Sequence, residues 1–125
     1  MKKILFSLLI ALQSFAAFSE EVVPTEDGLK PNMIRWGTAS EHENFGFDVF
    51  RGLSEQGPFE KVTLEPIPGA GTTDLPQRYE FQDADIEADR VYWYYVESIS
   101  LSGERVRITP IYPSKPKSRN QPDDL

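Results

Sequence analysis

Hydrophobic and polar positions alternate with a period of two in several short segments of this chain, and turn residues separate these segments. Such alternation is typical of half-buried strands. It predicts strands at Met33–Trp36, Phe47–Arg51, Phe59–Thr63, Tyr79–Phe81, Arg90–Ser100 and Arg105–Thr109. Between them, residues 64–78 hold three prolines and two glycines and predict a long surface loop. The pattern favours an all-β fold, an antiparallel two-sheet sandwich.

The two ends of the chain differ from this pattern. Residues 1–19 have a basic start, a short apolar run and small residues at Ala17 and Ser19, which predicts a signal peptide that is cleaved after Ser19. The apolar run is too short to cross a hydrocarbon core of about 30 Å. We expect residues 20–32 to be a leader with a candidate first strand at Val22–Val23, residues 33–112 to be the domain, and residues 113–125 to be a disordered tail.

Export to the periplasm or the medium follows from the signal peptide, and no transmembrane segment is expected after its removal. The roughly 100 remaining residues suffice for one domain. The formal charge of −7 becomes more negative when Lys2 and Lys3 leave with the signal. An acidic surface repels phosphate backbones and argues against nucleic acid as a partner. The chain has no cysteine, which excludes disulfides, thiol catalysis and cysteine-ligated zinc.

Several segments of the chain, among them those that contain Trp36 and Tyr92, resemble the fibronectin type III-like modules of bacterial exported proteins. The resemblance rests on Ile34–Glu41, Gly46–Arg51, Gly57–Val62, Ile67–Pro68, Tyr79–Asp83 and Tyr92, and covers roughly residues 33–112. It implies an immunoglobulin-like sandwich in which Trp36 is a core residue of the second strand. It also implies that Tyr92 is the tyrosine corner, with its hydroxyl bonded to backbone near residues 86–88. Asp89 replaces the usual glycine of that turn. The integrin-type Arg-Gly-Asp is missing, so integrin-style adhesion has no support.

Alternation within the aromatic strand gives the main functional hypothesis. If Tyr92 faces the core, then Trp93 and Tyr95 face outward, and Phe50 of the neighbouring strand joins them. An exposed aromatic patch usually marks a contact surface. Three interpretations stay open: the stems of Arg105, Arg107 and Lys61 cover the rings, a partner protein or second copy binds them, or a sugar polymer stacks on them.

Candidate chemical sites in the sequence are weak. His42 lies between Glu41 and Glu43, but adjacent loop residues seldom converge on one metal ion. The acidic residues from Asp83 to Asp89 fail the calcium-loop pattern, because Ala88 stands at the sixth position and Tyr94 at the twelfth. We therefore expect no cofactor, no metal and no catalysis. The sequence predicts a protein-binding module, with a small carbohydrate-binding protein or an accessory protein of an exported enzyme system as the alternatives.

Overall fold

The computed structural model describes residues 28–119, and the predicted signal peptide, Val22–Val23 and residues 120–125 lie outside this range. Eight strands follow one another along the chain: β1 Asn32–Thr38, β2 Glu41–Gly52, β3 Phe59–Lys61, β4 Ile67–Thr73, β5 Gln77–Asp83, β6 Trp93–Ser100, β7 Arg105–Arg107 and β8 Tyr112–Pro113. Every pairing between them is antiparallel. Within the described range the chain forms no helix, and hence none that could span a membrane.

The strands form two sheets. Strands β1 and β5 make the smaller sheet, while β3, β2, β6 and β7 follow one another across the larger one. Strand β4 also pairs with β2, and β8 also pairs with β6. The predicted all-β, antiparallel two-sheet sandwich is confirmed. The apolar side chains that face each other between the sheets form a core of Leu29, Ile34, Trp36, Phe47, Val49, Ile86, Tyr92, Tyr94 and Val96.

Aromatic packing joins the two sheets at Trp36. Its indole stacks on the ring of Tyr79 at a centroid distance of 5.7 Å and meets Phe47 edge to face at 5.5 Å. Trp36 retains only 8% of its accessible surface and lies in the core between the two sheets. Each such ring pair stabilises the fold by about 0.5–1.5 kcal/mol beyond burial itself.

Residues 64–78 were predicted to be a loop, and this prediction is wrong, because residues 67–73 form β4. Strand β4 pairs with β2 on one side and is an edge strand. Proline has no backbone N–H group, and Pro68 is tolerated in an edge strand because no second neighbour needs a hydrogen bond from it. Gly46 makes the close pairing feasible: a Cβ atom there would lie 2.5 Å from the carbonyl oxygen of Ile67. Glycine and proline therefore mark a closely packed edge strand here.

Three further boundaries differ from the sequence prediction. Strand β2 begins at Glu41, so His42 lies in a strand and not in a loop. Strand β6 begins at Trp93, three residues later than predicted. At the end of the domain, the Ser114 amide donates to the Tyr92 carbonyl oxygen at 2.7 Å, and the Lys117 carbonyl oxygen accepts from Asp89 N at 2.7 Å. The first residues of the predicted disordered tail are thus hydrogen-bonded to the domain.

Candidate interaction surface

The alternation predicted for β2 and β6 is present in the structure. Phe47 and Val49 on β2, with Tyr94 and Val96 on β6, are buried between the sheets at 1% exposure or less. The residues between them point to the opposite face of the larger sheet, which we call the outer face. The smaller sheet covers the inner face, and the described chain forms no third sheet over the outer one, where Asp48 is fully buried and Phe50, Phe59 and Tyr95 are half-buried.

Three aromatic rings meet on the outer face. Phe50 and Tyr95 are direct cross-strand partners, and their rings stack at a centroid distance of 4.9 Å with planes only 8° apart. Phe59 on β3 meets the Tyr95 ring edge to face at 5.1 Å. Phe59 pairs with Gly52 of β2. The Phe59 ring fits there because Gly52 has no side chain: a Cβ atom would lie 3.0 Å from the ring. We call these rings the aromatic row.

Trp93 does not join the aromatic row. It lies on the outer face by alternation, is half-buried, and is paired with Gly52 and with Pro113 of β8. Among residues 28–119, Trp93 takes part in none of the ring contacts that connect Phe50, Tyr95 and Phe59. The structure therefore brings together two of the three residues predicted for the patch and adds Phe59.

Arg107 covers one side of the aromatic row. Its guanidinium carbon lies 4.5 Å from the centroid of the Tyr95 ring, a cation–π contact. Because β6 lies between β2 and β7, Phe50 and Arg107 flank Tyr95 from opposite sides, and the ring presents its edge outward. Burial, together with the negative charge of Glu97, raises the pKa of Tyr95 against a smaller opposing effect of Arg107. Tyr95 is therefore a neutral hydrogen-bond donor and acceptor at physiological pH.

Arg105, one of the predicted covering residues, is held away from the rings. Its guanidinium donates to Asp48 Oδ2 at 2.9 Å and to Glu97 Oε1 at 3.4 Å. The Asp48 side chain is fully buried, and its second oxygen accepts from Thr63 Oγ1 at 2.6 Å. Arg105 thus neutralises a buried carboxylate and does not cover the aromatic row. Of the predicted covering residues, Arg107 lies over Tyr95 and Lys61 lies opposite Phe50.

Tyr92 occupies the position that the resemblance implied. Its hydroxyl accepts a hydrogen bond from the Glu87 amide at 2.8 Å, within the predicted segment, and its ring is buried at 4% exposure. The turn between them contains Asp89 at φ +58°, a left-handed conformation that aspartate tolerates better than most residues. This contact closes the turn that precedes β6.

Asp83, the last residue of β5, forms an ion pair between the sheets with Arg51 of β2. Arg51 donates to both carboxylate oxygens of Asp83, at 3.1 and 3.0 Å, and also to the Asp85 carbonyl oxygen and to Glu60. The Tyr94 hydroxyl donates to the same Asp83 carboxylate. A cleft of about 450 Å³ opens beside Arg51, but the acceptors around the guanidinium leave it unsuited to binding an anion.

His42 and its acidic neighbours do not converge. His42 Nε2 lies 3.8 Å from Glu43, and both side chains are exposed, whereas Glu41 points inward. Within residues 28–119, no group of three or more histidine, aspartate or glutamate side chains could hold a metal ion. Comparisons of the chain with protein-family models, with curated proteins and with solved structures find no match.

Proposed function

We propose that this chain is an exported, non-catalytic, fibronectin type III-like module that binds a partner protein through its outer face. The observation that carries the proposal is the aromatic row. Phe50, Tyr95 and Phe59 stand together, half-buried, on the face of the larger sheet opposite to the smaller sheet. Tyrosine and other aromatic residues dominate binding energies at protein interfaces, where they combine a large apolar surface with a polar group.

The orientation of the rings favours a protein over a sugar polymer. A sugar ring stacks on the open face of an aromatic side chain. Here Phe50 and Arg107 flank Tyr95, so neither of its faces is open. Ring edges and the Tyr95 hydroxyl are suited to side chains and backbone groups of a polypeptide. Tyr95 therefore offers no stacking platform to a sugar ring.

Capture of a partner from envelope and culture-fluid extracts of the source cells tests this proposal. The bait is the chain from residue 20 onward, compared with the variant Phe50→Ser/Tyr95→Ser. The matched control is Leu64→Ser/Leu75→Ser, since these leucines are 98% and 68% exposed and lie outside the aromatic row. We expect a protein retained by the wild type and the control to be lost by the Phe50/Tyr95 variant.

The ring contacts also stabilise the sheet by about 1–2 kcal/mol, so circular dichroism must show that the Phe50/Tyr95 variant is folded. Trp93→Ser gives a second readout, because Trp93 is on the outer face without belonging to the ring stack. A protein retained equally by all four baits would contradict the proposal.

A further inference from the structure

Two unpaired cations stand at the ends of the aromatic row. Lys61 is the direct cross-strand partner of Phe50, and Arg107 lies over Tyr95. Both are exposed, and neither forms an ion pair within residues 28–119. Glu97, directly opposite Arg107 on β6, instead contacts Arg105 at 3.4 Å. Because Arg105 is shared between Asp48 and Glu97, the cations Lys61, Arg105 and Arg107 leave the outer face with a net charge of +1, in a chain whose formal charge is −7.

The spacing of these cations is set by the sheet. They belong to β3 and β7, the two ends of the four-strand order β3-β2-β6-β7. Neighbouring strands lie about 4.8 Å apart, and Arg107 pairs with Glu97, two residues beyond Tyr95, so the two backbones are separated by about 16 Å. In an extended polypeptide, residues i, i+2 and i+4 share one face, and residues i and i+4 are about 13 Å apart. The two distances match to within the reach of the side chains.

Apolar contact is available between the two cations. The edges of Phe50 and Tyr95 lie between Lys61 and Arg107, because their strands are the two inner ones of the four. A residue at i+2 of an extended segment laid across the strands would reach these rings. Carboxylates at i and i+4 would reach the two cations, while a basic segment would be repelled.

We propose that the outer face recognises an extended acidic segment of the partner protein, with carboxylates at i and i+4 and an apolar residue at i+2. This inference rests on the proposed function and specifies the chemistry of the partner. Charge complementarity also disfavours a basic partner at this face, although the chain as a whole is acidic. The aromatic row supplies apolar contact, and Lys61 and Arg107 determine which segments can use it.

Synthetic peptides test the inference on the purified chain. The probe is acetyl-Glu-Ser-Leu-Ser-Glu-amide. Its isomer acetyl-Ser-Glu-Leu-Glu-Ser-amide has the same composition but turns both carboxylates away from the leucine face, and acetyl-Lys-Ser-Leu-Ser-Lys-amide reverses the charge. Nuclear magnetic resonance titration follows the amide signals of Phe50, Lys61, Tyr95 and Arg107. We expect saturable shifts at these residues with the probe, and at least about threefold weaker binding of the isomer.

Variants of the cations complete the test. Lys61→Gln/Arg107→Gln should weaken probe binding by about threefold to tenfold, the effect of losing two exposed ion pairs. The control Arg35→Gln/Arg78→Gln removes the same charge from exposed positions of the smaller sheet and should leave the affinity unchanged. Equal binding of the lysine peptide, or equal weakening by both variants, would overturn the inference. If the probe fails while capture still requires Phe50 and Tyr95, the inference falls and the proposed function stands. Capture that does not depend on those rings overturns the proposed function whatever the peptides do.

Discussion

Replacement of Asp83 by asparagine should strongly destabilise the fold, although the two side chains have nearly the same shape. Asp83 is 3% exposed and accepts two hydrogen bonds from Arg51, whose side chain is 10% exposed. Asparagine keeps an acceptor for Tyr94 but removes the charge that compensates the guanidinium. The remaining carboxylates near Arg51, those of Glu60 and Asp85, are 70% and 95% exposed and therefore compensate it weakly.

The expected cost follows from burial. Removal of one partner from a buried ion pair costs about 3–5 kcal/mol, because the other charge stays desolvated without compensation. A domain of this size has a free energy of unfolding of about 5–15 kcal/mol, so the loss is a large part of the total. Urea unfolding followed by tryptophan fluorescence measures it, and the midpoint should fall by at least about 1 M.

An exposed ion pair provides the matched control. Arg35 donates to Glu80 at 2.8 Å, with side chains 65% and 28% exposed, and joins the two strands of the smaller sheet. Glu80→Gln should cost less than about 1 kcal/mol, because solvent screens the pair. If Asp83→Asn costs no more than Glu80→Gln, the assignment of Arg51–Asp83 as a buried structural pair is refuted.

Three further predictions concern residues that stabilise the sheets and the turn before β6: Glu41, Tyr92 and Gly46. Burial works to raise the pKa of Glu41, but hydrogen bonds from Tyr79 and three other groups outweigh it and lower the pKa to about 2. The stabilisation by Glu41 should thus be complete above pH about 4.5 and lost as the pH falls towards 2, so urea midpoints of Glu41→Gln and wild type should converge over that interval. Tyr92→Phe removes the partner of the part-buried Glu87 amide and should lower the free energy of unfolding by about 1 kcal/mol in urea, without changing the near-ultraviolet spectrum much. Gly46→Ala forces a methyl group against the Ile67 carbonyl and should cost about 1–3 kcal/mol in thermal unfolding, with hydrogen exchange accelerated first in β4.

The sequence predicted the sandwich and its inner face because alternation reports burial directly. Phe47, Val49 and Tyr94 are apolar at every second position, and their strands were located correctly. Strand β4 was missed because its pattern is not one of apolar alternation. Its pairing depends on the absence of side chains at Gly46 and Gly69, because a Cβ atom at either position would clash with the partner strand. The need for glycine there is visible only when the partner strand is known.

The aromatic row was only partly predictable, since contacts across strands depend on register. Alternation placed Phe50, Trp93 and Tyr95 on one face, but it could not show that Phe59 reaches Tyr95 over Gly52. The ion pair of Arg51 was also missed. Arg51 lies on β2 and its partner Asp83 on the opposite sheet, 32 residues further along the chain, a distance in sequence that no local pattern spans.

Site-specific photo-crosslinking on the outer face tests the central claim most directly. Because the chain has no cysteine, a single Trp93→Cys substitution gives one attachment point for a benzophenone label beside the intact aromatic row. A Leu64→Cys chain, labelled at a 98% exposed position, is the control. After illumination in envelope or culture-fluid extract, we predict a defined protein adduct from position 93 that Phe50→Ser/Tyr95→Ser abolishes, and none from position 64. Adducts of the same protein from both positions, or one from position 93 that survives loss of the rings, would contradict a partner held by the outer face.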